Sequence, residues 1–453
     1  MGELSLAKER LSRALQERLH SDQPRRGLIR IEVPAPAVNL PRWLAANPGT
    51  PRFYWSERGG RFEWAGIGVA DALVANADGG APSPLAQIAA RLSADGGDLR
   101  YFGGLSFDGR AAADRSWAPF GAGRFTCPRF EITRKDETWS LACTVATDPE
   151  ATARQTLRRF EDDLAHLRTG QKATAPLPAL LHRTDSPDQA SWVRAVEGVL
   201  HRIERGPLEK VVLARRTDFR FAEAPDPFLL LHRLQAINPE GFHFAFQPEE
   251  NSTFLGVSPE RLYRREGRHI LSEAVAGTRR RGDSEHEDRA MGDALLESEK
   301  DRREHRFVAD EVGRKLDGLC RSYRADREVS LLKLARLQHL RRRFEGTLRA
   351  GVDDEAIVAA LHPTPAVAGN PTTAAVAEIA SREPFHRGWY AGPLGWVSAA
   401  GADFTVAIRA GLLSGSRLAL FTGAGIVRGS MPHAEWEELE NKLAGFVRVI
   451  GAP

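Results

Sequence analysis

Alternating apolar and polar residues predict β-strands through the first third of the chain. Four segments alternate in this way around glycine-containing turns: residues 26–36, 52–68, 98–109 and 129–147. The first residues, MGELSLAKERLSRALQERL, instead carry charges throughout an apolar stripe, which predicts an amphipathic helix. The N-terminal part of the chain is therefore predicted to consist mainly of sheet.

Helices and strands are mixed in the remainder of the chain. Helical spacing of apolar residues predicts helices at 189–206, 292–320 and 433–450. Alternation predicts strands at 208–221, 403–414 and 417–427. Residues 169–187, rich in Pro, Ala and Thr, indicate a boundary or surface connection. The pattern predicts an α+β protein with large mixed or antiparallel sheets and helices packed on them.

Composition narrows the class of protein. The 453 residues are 42% hydrophobic and 27% charged, with a net charge of +3, as is ordinary for a soluble globular protein. No segment approaches the ~18 consecutive apolar residues of a membrane span, and the charged N-terminus is unlike a signal peptide. Cys127, Cys143 and Cys320 are widely spaced and imply neither disulfides nor a zinc site. We expect a cytoplasmic protein without a membrane partner.

Two runs of arginine, at 279–281 and 341–343, raise the question of a nucleic-acid partner. No groove-reading motif accompanies either run. We therefore interpret both as solvated surface and expect no nucleic acid to bind.

Glu304 lies beside the apolar stripe of the predicted long helix. It precedes Phe307, Val308 and Val312 by three, four and eight residues, so helical geometry places all four on one side. A carboxylate buried there requires a cation or a hydrogen-bond network. Spacing alone leaves two interpretations. Either Glu304 is a boundary residue whose carboxylate reaches solvent or pairs with a nearby arginine, or it is a ligand-binding group.

The predicted C-terminal helix repeats this pattern. Glu435 lies four residues before Leu439, and Glu438 and Lys442 follow on the same side. One interpretation is a Glu–Lys pair four residues apart, with a carboxylate favoured near the helix start. The other is a divalent-cation site, because Mg²⁺ binds carboxylate oxygens and keeps water and substrate oxygens in its other positions.

Other residues suit an anionic ligand. Lys210 lies in the apolar segment EKVVLA, and a buried lysine can serve as a base. Arg409 interrupts the apolar segment FTVAIRAG, and arginine can hold a carboxylate through two parallel hydrogen bonds. The glycines of FTGAGIV allow backbone N–H groups to approach an anion, and AVAGTRRRG contributes a threonine hydroxyl.

These residues belong to a series of motifs that resembles one enzyme family. In chain order the motifs are LEKVVLARR, LGVSPERLYRREG, SEAVAGTRRRG, SEKDRREHRFVADEV, LQHL, LHPTPAVAGNP, FHRGWYAGPLGWV, DFTVAIRAGLL, LFTGAGIVRGS and HAEWEELENKL. They resemble the chorismate-utilising enzymes, and within them the isochorismate synthases, over residues 191–450. RFYW and YFGGLSFDG extend the resemblance more loosely into the N-terminal region. Ala368 replaces the first of two glycines usual in PAVAGNP, where we expect a small backbone adjustment.

The resemblance implies an α+β fold with two central packed β-sheets flanked by helices, in α/β/β/α layers. Residues 1–180 would contribute strands and helices to the same unit as a chorismate-binding catalytic domain over residues 185–452. The implied substrate is chorismate and the implied cofactor is Mg²⁺. No glutaminase partner is implied, and we expect a monomer.

The resemblance also implies residue roles. Lys210 would be the general base that activates water for attack at ring C2, and Glu260 the general acid that protonates the departing C4 hydroxyl. Glu304 and Glu435 would bind the metal, and Glu438 would bind it directly or through water. The residues implied to bind the substrate are Gly277, Thr278, His362, Tyr390, Arg409, Gly423, Gly425 and Lys442.

Other residues distinguish isochorismate synthases from members of the same family with related activities. Salicylate synthases, which go on to eliminate pyruvate, keep the same lysine, acid and metal ligands, so only peripheral motifs favour an isochorismate synthase. Aminodeoxychorismate synthases have lysine where this chain has Ala276, and HRFVADEVGRKL lacks the D-L-x-R-N-D signature of the aminating enzymes. A non-catalytic binding protein is disfavoured because the implied catalytic residues are present. The product would feed menaquinone or siderophore biosynthesis.

Overall fold

Two large antiparallel β-sheets form the centre of the computed structural model, which describes residues 3–20, 27–49, 51–75, 82–95, 98–111, 114–147 and 152–451. Elements are numbered in chain order. Within the described residues the first sheet has twelve strands. In spatial order they are β1 (Gly27–Pro34), β8 (Thr138–Thr147), β7 (Phe130–Lys135), β3 (Phe62–Ile67), β2 (Arg52–Ser56), β11 (Phe242–Glu249), β12 (Ser252–Ser258), β21 (Ala410–Ser414), β22 (Arg417–Val427), β10 (Lys210–Phe221) and β18 (Gly369–Asn370), with β9 (Leu180–Ser186) also paired to β10.

The second sheet has ten strands in the same described ranges. In spatial order they are β15 (Cys320–Ala325), β17 (Leu337–Leu348), β14 (His269–Arg280), β13 (Arg261–Glu266), β20 (Gly401–Val406), β19 (Pro393–Ser398), β5 (Arg100–Leu105), β6 (Gly123–Cys127) and β4 (Asp71–Val74), with β16 (Ser330–Lys333) also paired to β17. Strands from the N-terminal region enter both sheets, because β2 pairs with β11 and β5 pairs with β19.

Helices pack against these sheets. They are α1 (Glu3–His20), α2 (Leu40–Ala46), α3 (Pro84–Asp95), α4 (Ala153–His166), α5 (Gln189–Arg205), α6 (Pro227–Ile237), α7 (Glu285–Glu297), α8 (Glu299–Leu319), α9 (Asp354–Leu361), α10 (Thr372–Arg382) and α11 (Pro432–Ile450). None of the helices in the described ranges is both long and apolar enough to cross a membrane.

The core has two layers. One apolar cluster joins the sheets to each other, and within it Phe246 of the first sheet and Phe102 of the second have ring centroids 6.0 Å apart. The other cluster covers the first sheet with helices, through residues such as Leu11 of α1, Leu230 of α6 and Leu443 of α11. This arrangement confirms the predicted α+β fold of two packed sheets with flanking helices.

The single helix predicted over residues 292–320 is wrong. The chain instead forms α7 and α8, which are separated at Ser298. Ser298 has extended backbone angles, and its hydroxyl accepts the N–H of Asp301 at 3.3 Å as the N-cap of α8. Residues 297–306 contain no apolar side chain, so the apolar pattern could neither continue nor break at the junction and did not reveal it.

The single strand predicted over residues 403–414 is also wrong. β20 ends at Val406 in the second sheet, and β21 begins at Ala410 in the first. The residues between them cross from one sheet to the other, and Arg409 has a left-handed φ of 50°. Arg409 is therefore not a strand residue but part of the crossing, which brings its side chain to the space where the sheets meet.

Candidate active site

A pocket lies where the sheet crossing, β14 and β22 meet α8 and α11. Most of the residues predicted to form the site line it. These residues are Glu260, Gly277, Thr278, Glu304, Tyr390, Arg409, Gly423, Gly425, Glu438 and Lys442. The structure therefore brings together side chains that are separated by up to 182 residues in sequence, from Glu260 to Lys442.

Lys210 lies directly behind this pocket, at the first position of β10. Its side chain is fully buried, and its Nζ lies 3.0 Å from Oε1 of Glu304 on α8. Close contact is possible because residue 425 on β22 is a glycine. A Cβ there would lie 2.5 Å from Oε1 of Glu304 and 3.1 Å from Cε of Lys210. The glycine of the FTGAGIV motif thus makes room for an ion pair.

Glu260 occupies the link between β12 and β13. Its N–H donates to the Ser258 hydroxyl at 3.2 Å, and its carbonyl accepts the N–H of Val406 at 3.1 Å. The pKa of the Glu260 carboxyl is raised to about 8, mainly by burial. Glu273 also raises this pKa, whereas Lys210 and Thr364 lower it. Glu260 is therefore protonated at neutral pH, which is the form that a general acid requires.

The three predicted metal ligands lie on two helices, Glu304 on α8 and the other two on α11. Each carboxylate contacts a lysine. Glu435 lies 2.8 Å from Nζ of Lys300, and Glu438 lies 2.6 Å from Nζ of Lys442. Glu435 is 1% exposed and faces Lys300 rather than the pocket.

Electrostatics link these carboxylates. Burial raises the pKa of Glu435, and Glu438 raises it further. Burial would also raise the pKa of Glu304, but Lys210, Lys442 and Lys300 hold it below its usual range. Burial lowers the pKa of Lys300, yet the effects of Glu435, Glu438 and Glu304 together raise it. One cation thus interacts with all three carboxylates.

This donor set fits Mg²⁺ in chemistry, because hard divalent cations bind carboxylate oxygens. Among the described residues, however, no three acidic, histidine or cysteine side chains converge closely enough to form a metal site as they stand. Each of the three carboxylates instead contacts a lysine.

Arg409 and His339 form the opposite part of the pocket. Nη2 of Arg409 lies 2.6 Å from Nε2 of His339, while Nδ1 of His339 lies 3.0 Å from the Gly277 carbonyl oxygen. Burial and Arg409 hold the pKa of His339 well below its usual range, so the ring is neutral. A carbonyl can only accept, so Nδ1 carries the proton and Nε2 accepts from Arg409. Burial lowers the pKa of Arg409 to about 10, which leaves it charged at neutral pH.

His339 was not among the predicted site residues. The available signal was the histidine of LQHL, which lies on β17 opposite Thr278 of β14. The motif was recognised, but a strand position does not reveal that its side chain meets an arginine from a distant crossing.

His362 lies away from the pocket lining. Its Nε2 lies 2.9 Å from the Phe107 carbonyl oxygen, and burial lowers its pKa to about 4. Its predicted contact with substrate stays a prediction. Ala368 is buried, has no left-handed φ and accepts the N–H of Val212 at 2.8 Å through its carbonyl. An ordinary L-residue conformation therefore accommodates alanine at this position.

Comparisons with known proteins identify the family of this chain. The model of the family described as chorismate binding enzyme matches residues 11–451. The chain is 36% identical over 364 residues to the chloroplastic isochorismate synthase of Catharanthus roseus, covering 78% of this chain and 62% of that protein. It is 34% identical over 424 residues to the isochorismate synthase MenF of Pasteurella multocida (strain Pm70), covering 91% and 90% of the two chains.

A solved structure extends the comparison to the fold. The menaquinone-specific isochorismate synthase MenF from Escherichia coli matches with a TM-score of 0.88 and 30% identity, covering 99% of this chain and 100% of that one. The chain therefore belongs to the chorismate binding enzyme family. Within that family it is one of the isochorismate synthases, which are isomerases, as its motifs predicted.

Proposed function

We propose that the pocket binds chorismate and converts it reversibly to isochorismate, with Lys210 as general base and Glu260 as general acid. The observation that carries this assignment is the presence at one pocket of a fully buried lysine, Lys210, and of a second buried group, the Glu260 carboxyl, that is protonated at neutral pH. The reaction replaces a hydroxyl on one ring carbon by a hydroxyl on another. It therefore needs one group that takes a proton and another that gives one.

The proton balance follows from these two groups. An ammonium cannot accept a proton, so Lys210 first releases the proton that it holds in the ion pair with Glu304. Its Nζ then takes a proton from water as the water oxygen bonds to ring C2. The ring double bonds shift, and the bond between C4 and its hydroxyl breaks. Glu260 gives its proton to that departing hydroxyl, which leaves as water. One water enters and one leaves, so substrate and product are isomers.

Arg409 and Tyr390 are suited to hold the enolpyruvyl carboxylate. Arg409 projects into the pocket from the crossing, with His339 accepting one of its N–H groups. The remaining guanidinium donors can bind a carboxylate through two parallel bonds. Tyr390 lines the same pocket, and its hydroxyl oxygen lies 3.0 Å from the position that a Cβ on Gly423 would take. Alanine at 423 would therefore crowd this hydroxyl.

Glu304, Glu435 and Glu438 would hold Mg²⁺, which when bound supplies positive charge for the ring carboxylate. The support is that all three carboxylates raise the pKa of Lys300. The Lys300 ammonium group is thus a cation that interacts favourably with each of them. Lys300, Lys210 and Lys442 would give up carboxylate contacts to the metal. Without the metal, each of these lysines neutralises the charge of the carboxylate that it contacts.

Product analysis tests the proposal. Purified protein is incubated with chorismate, with and without Mg²⁺ and then with ammonium, and the products are identified by NMR. A Mg²⁺-dependent mixture of chorismate and isochorismate without pyruvate supports the proposal. Salicylate with pyruvate would instead indicate a salicylate synthase, and anthranilate formed only with ammonium would indicate an aminating enzyme. Ala276 in the pocket lining disfavours an aminodeoxychorismate synthase, which has lysine there, but does not exclude an anthranilate synthase. Against the aminating enzymes as a group stands the missing D-L-x-R-N-D signature in HRFVADEVGRKL.

A further inference from the structure

The turn between β2 and β3 reaches the segment that carries Glu260. Arg58, in this turn, is largely buried, with 11% of its side chain exposed. Its Nη1 donates to the carbonyl oxygen of Pro259 at 2.7 Å. Its Nη2 donates to both carboxylate oxygens of Glu273 on β14, at 2.5 and 2.6 Å. One guanidinium therefore joins the N-terminal region to the residue before the general acid and to a strand of the second sheet.

The neighbouring residue strengthens the same junction. Glu57 is buried and lies 3.1 Å from Nη1 of Arg264 and 3.9 Å from Nη2 of Arg261. Both arginines belong to β13, which begins immediately after Glu260. The turn thus contacts the chain on both sides of Glu260, through Arg58 before it and Glu57 after it.

Backbone bonds fix the Glu260 peptide. The bonds to Ser258 and Val406 described above join neutral groups, whereas the bond from Arg58 to the Pro259 carbonyl has a charged donor. Hydrogen bonds with one charged partner are roughly twice as strong as neutral ones. Pro259 itself lines the pocket, so a shift of its carbonyl would move the pocket wall together with Glu260.

Arg58 also sets the charge beside the general acid. Glu273 is 3% exposed and raises the pKa of Glu260, while Lys210 of β10 and Thr364, which follows α9, act in the opposite direction. The nearest other cation that faces Glu273 is Arg341, at 4.0 Å. Without Arg58, a buried carboxylate next to Glu260 would lose its closest counter-charge.

We propose that Arg58 is a positioning residue for catalysis, which holds the Pro259 carbonyl and Glu273 so that the Glu260 carboxyl faces the substrate. The inference rests on the proposed role of Glu260. It assigns to the N-terminal region a direct part in shaping the acid side of the site, although none of the residues described in that region lines the pocket.

The test compares Arg58→Gln with Arg264→Gln. This control removes a partly exposed arginine from the same junction but leaves the bonds to Pro259 and Glu273, and Arg261 still faces Glu57. We expect Arg58→Gln to lower kcat about 10- to 100-fold, the scale of effects from misplaced catalytic groups, with a much smaller change in KM for chorismate. Added guanidinium chloride at millimolar concentration should restore part of kcat. Arg264→Gln should keep kcat near that of the wild type.

Arg58→Lys is the second variant, because it keeps the buried charge if Arg58→Gln does not fold. One ammonium does not reproduce the fork to Pro259 and Glu273, so kcat should fall about tenfold while the thermal midpoint changes little. Wild-type kcat in Arg58→Lys overturns the inference, as does an equal loss in Arg264→Gln or the absence of guanidinium rescue in a folded Arg58→Gln.

Glu260→Gln is measured in parallel to separate the inference from the proposed function. If Glu260→Gln is inactive and the Arg58 variants match the wild type, the inference alone fails. If Glu260→Gln keeps wild-type kcat, the assigned role of Glu260 fails, and with it the premise of the inference.

Discussion

The Nζ atom of Lys210 lies 3.0 Å from Oε1 of Glu304, so the proposed base and a proposed metal ligand form one buried ion pair. Only the missing side chain of Gly425 lets them meet. The two functions are therefore physically connected, because whatever binds Glu304 also changes the surroundings of Lys210.

Replacing Lys210 tests its role as base. Lys210→Ala should lower kcat by about 10²- to 10⁴-fold, the usual contribution of a general base. Steady-state kinetics measure this loss, with circular dichroism to verify folding. Lys172→Ala, which removes an exposed lysine paired with Asp226, serves as the control and should leave kcat unchanged. A Lys210→Ala protein with wild-type kcat would contradict the assignment.

Adding one methyl group at position 425 tests the contact between Lys210 and Glu304. Gly425→Ala would place a Cβ 2.5 Å from Oε1 of Glu304, closer than real Cβ atoms approach, so the carboxylate must move. We expect a loss of kcat of about 10²-fold, as for other misplaced catalytic groups. Gly318→Ala is the control, since no atom lies within 4 Å of the added Cβ there. Equal kinetics in the two variants would show that the ion pair tolerates displacement.

Magnesium titration tests the role of Glu304. Glu304→Gln removes a charged oxygen donor, so the Mg²⁺ concentration that gives half-maximal activity should rise about 10- to 100-fold. The matched control is Glu311→Gln on the same helix, whose carboxylate pairs with Lys315 and Arg314. An unchanged Mg²⁺ dependence in Glu304→Gln would exclude a ligand role.

Thermal unfolding tests the part that Lys300 plays when no metal is bound. Lys300→Met leaves Glu435, which is 1% exposed, without its ion-pair partner. We expect the metal-free variant to lose about 1–3 kcal/mol of stability, the cost of an unsatisfied buried acceptor. Saturating Mg²⁺ should shrink the difference in melting temperature from the wild type, because the metal then satisfies Glu435.

Lys315→Met, on the solvent side of the same helix, controls for the loss of a lysine and should show no dependence on Mg²⁺. A destabilisation of Lys300→Met that is the same with and without Mg²⁺ would mean that the metal does not reach Glu435.

The raised pKa of Glu260 predicts how stability depends on pH. Its pKa rises from an ordinary 4.5 to about 8 in the folded protein. Between these pH values the folded protein holds a proton that the unfolded chain has released, so the contribution of Glu260 to stability is lost as pH rises. Glu260→Gln lacks this pH-dependent contribution. In the wild type, each pH unit between the two pKa values lowers the free energy of unfolding by up to about 1.4 kcal/mol.

The melting temperature of Glu260→Gln relative to that of the wild type should therefore rise from pH 5 to pH 8. Above pH 8 this difference should stay constant. Glu437→Gln, which removes an exposed carboxylate, should keep a constant difference from the wild type. A constant difference for Glu260→Gln as well would mean that its pKa is not raised.

Helical spacing placed Glu304 and Glu435 beside apolar stripes, but it left open whether these carboxylates reach solvent or bind a ligand. Spacing did not reveal the break at Ser298, since residues 297–306 contain no apolar side chain whose period could be interrupted there. It also did not reveal that Arg409 belongs to a crossing between sheets, because both flanking segments alternate as strands do.

Contacts between distant parts of the chain were beyond the reach of the sequence. His339 and Arg409 meet through the crossing, and Arg58 meets Pro259 across 201 residues. Motifs locate residues along the chain, but such contacts depend on how two sheets pack. Recognition of the family supplied the roles of Lys210 and Glu260, and the burial that makes those roles chemically reasonable came from the fold.

Three lysine–glutamate pairs make the meeting point of α8 and α11 electrically neutral: Lys210–Glu304, Lys300–Glu435 and Lys442–Glu438. A divalent cation alone would add two uncompensated positive charges to a buried region, and a dicarboxylate alone would leave the carboxylate that Arg409 does not bind without a counter-charge, both of which are costly. Arriving together, they leave the balance unchanged. Metal and substrate should therefore bind cooperatively, and each should raise the affinity of the protein for the other by the same factor.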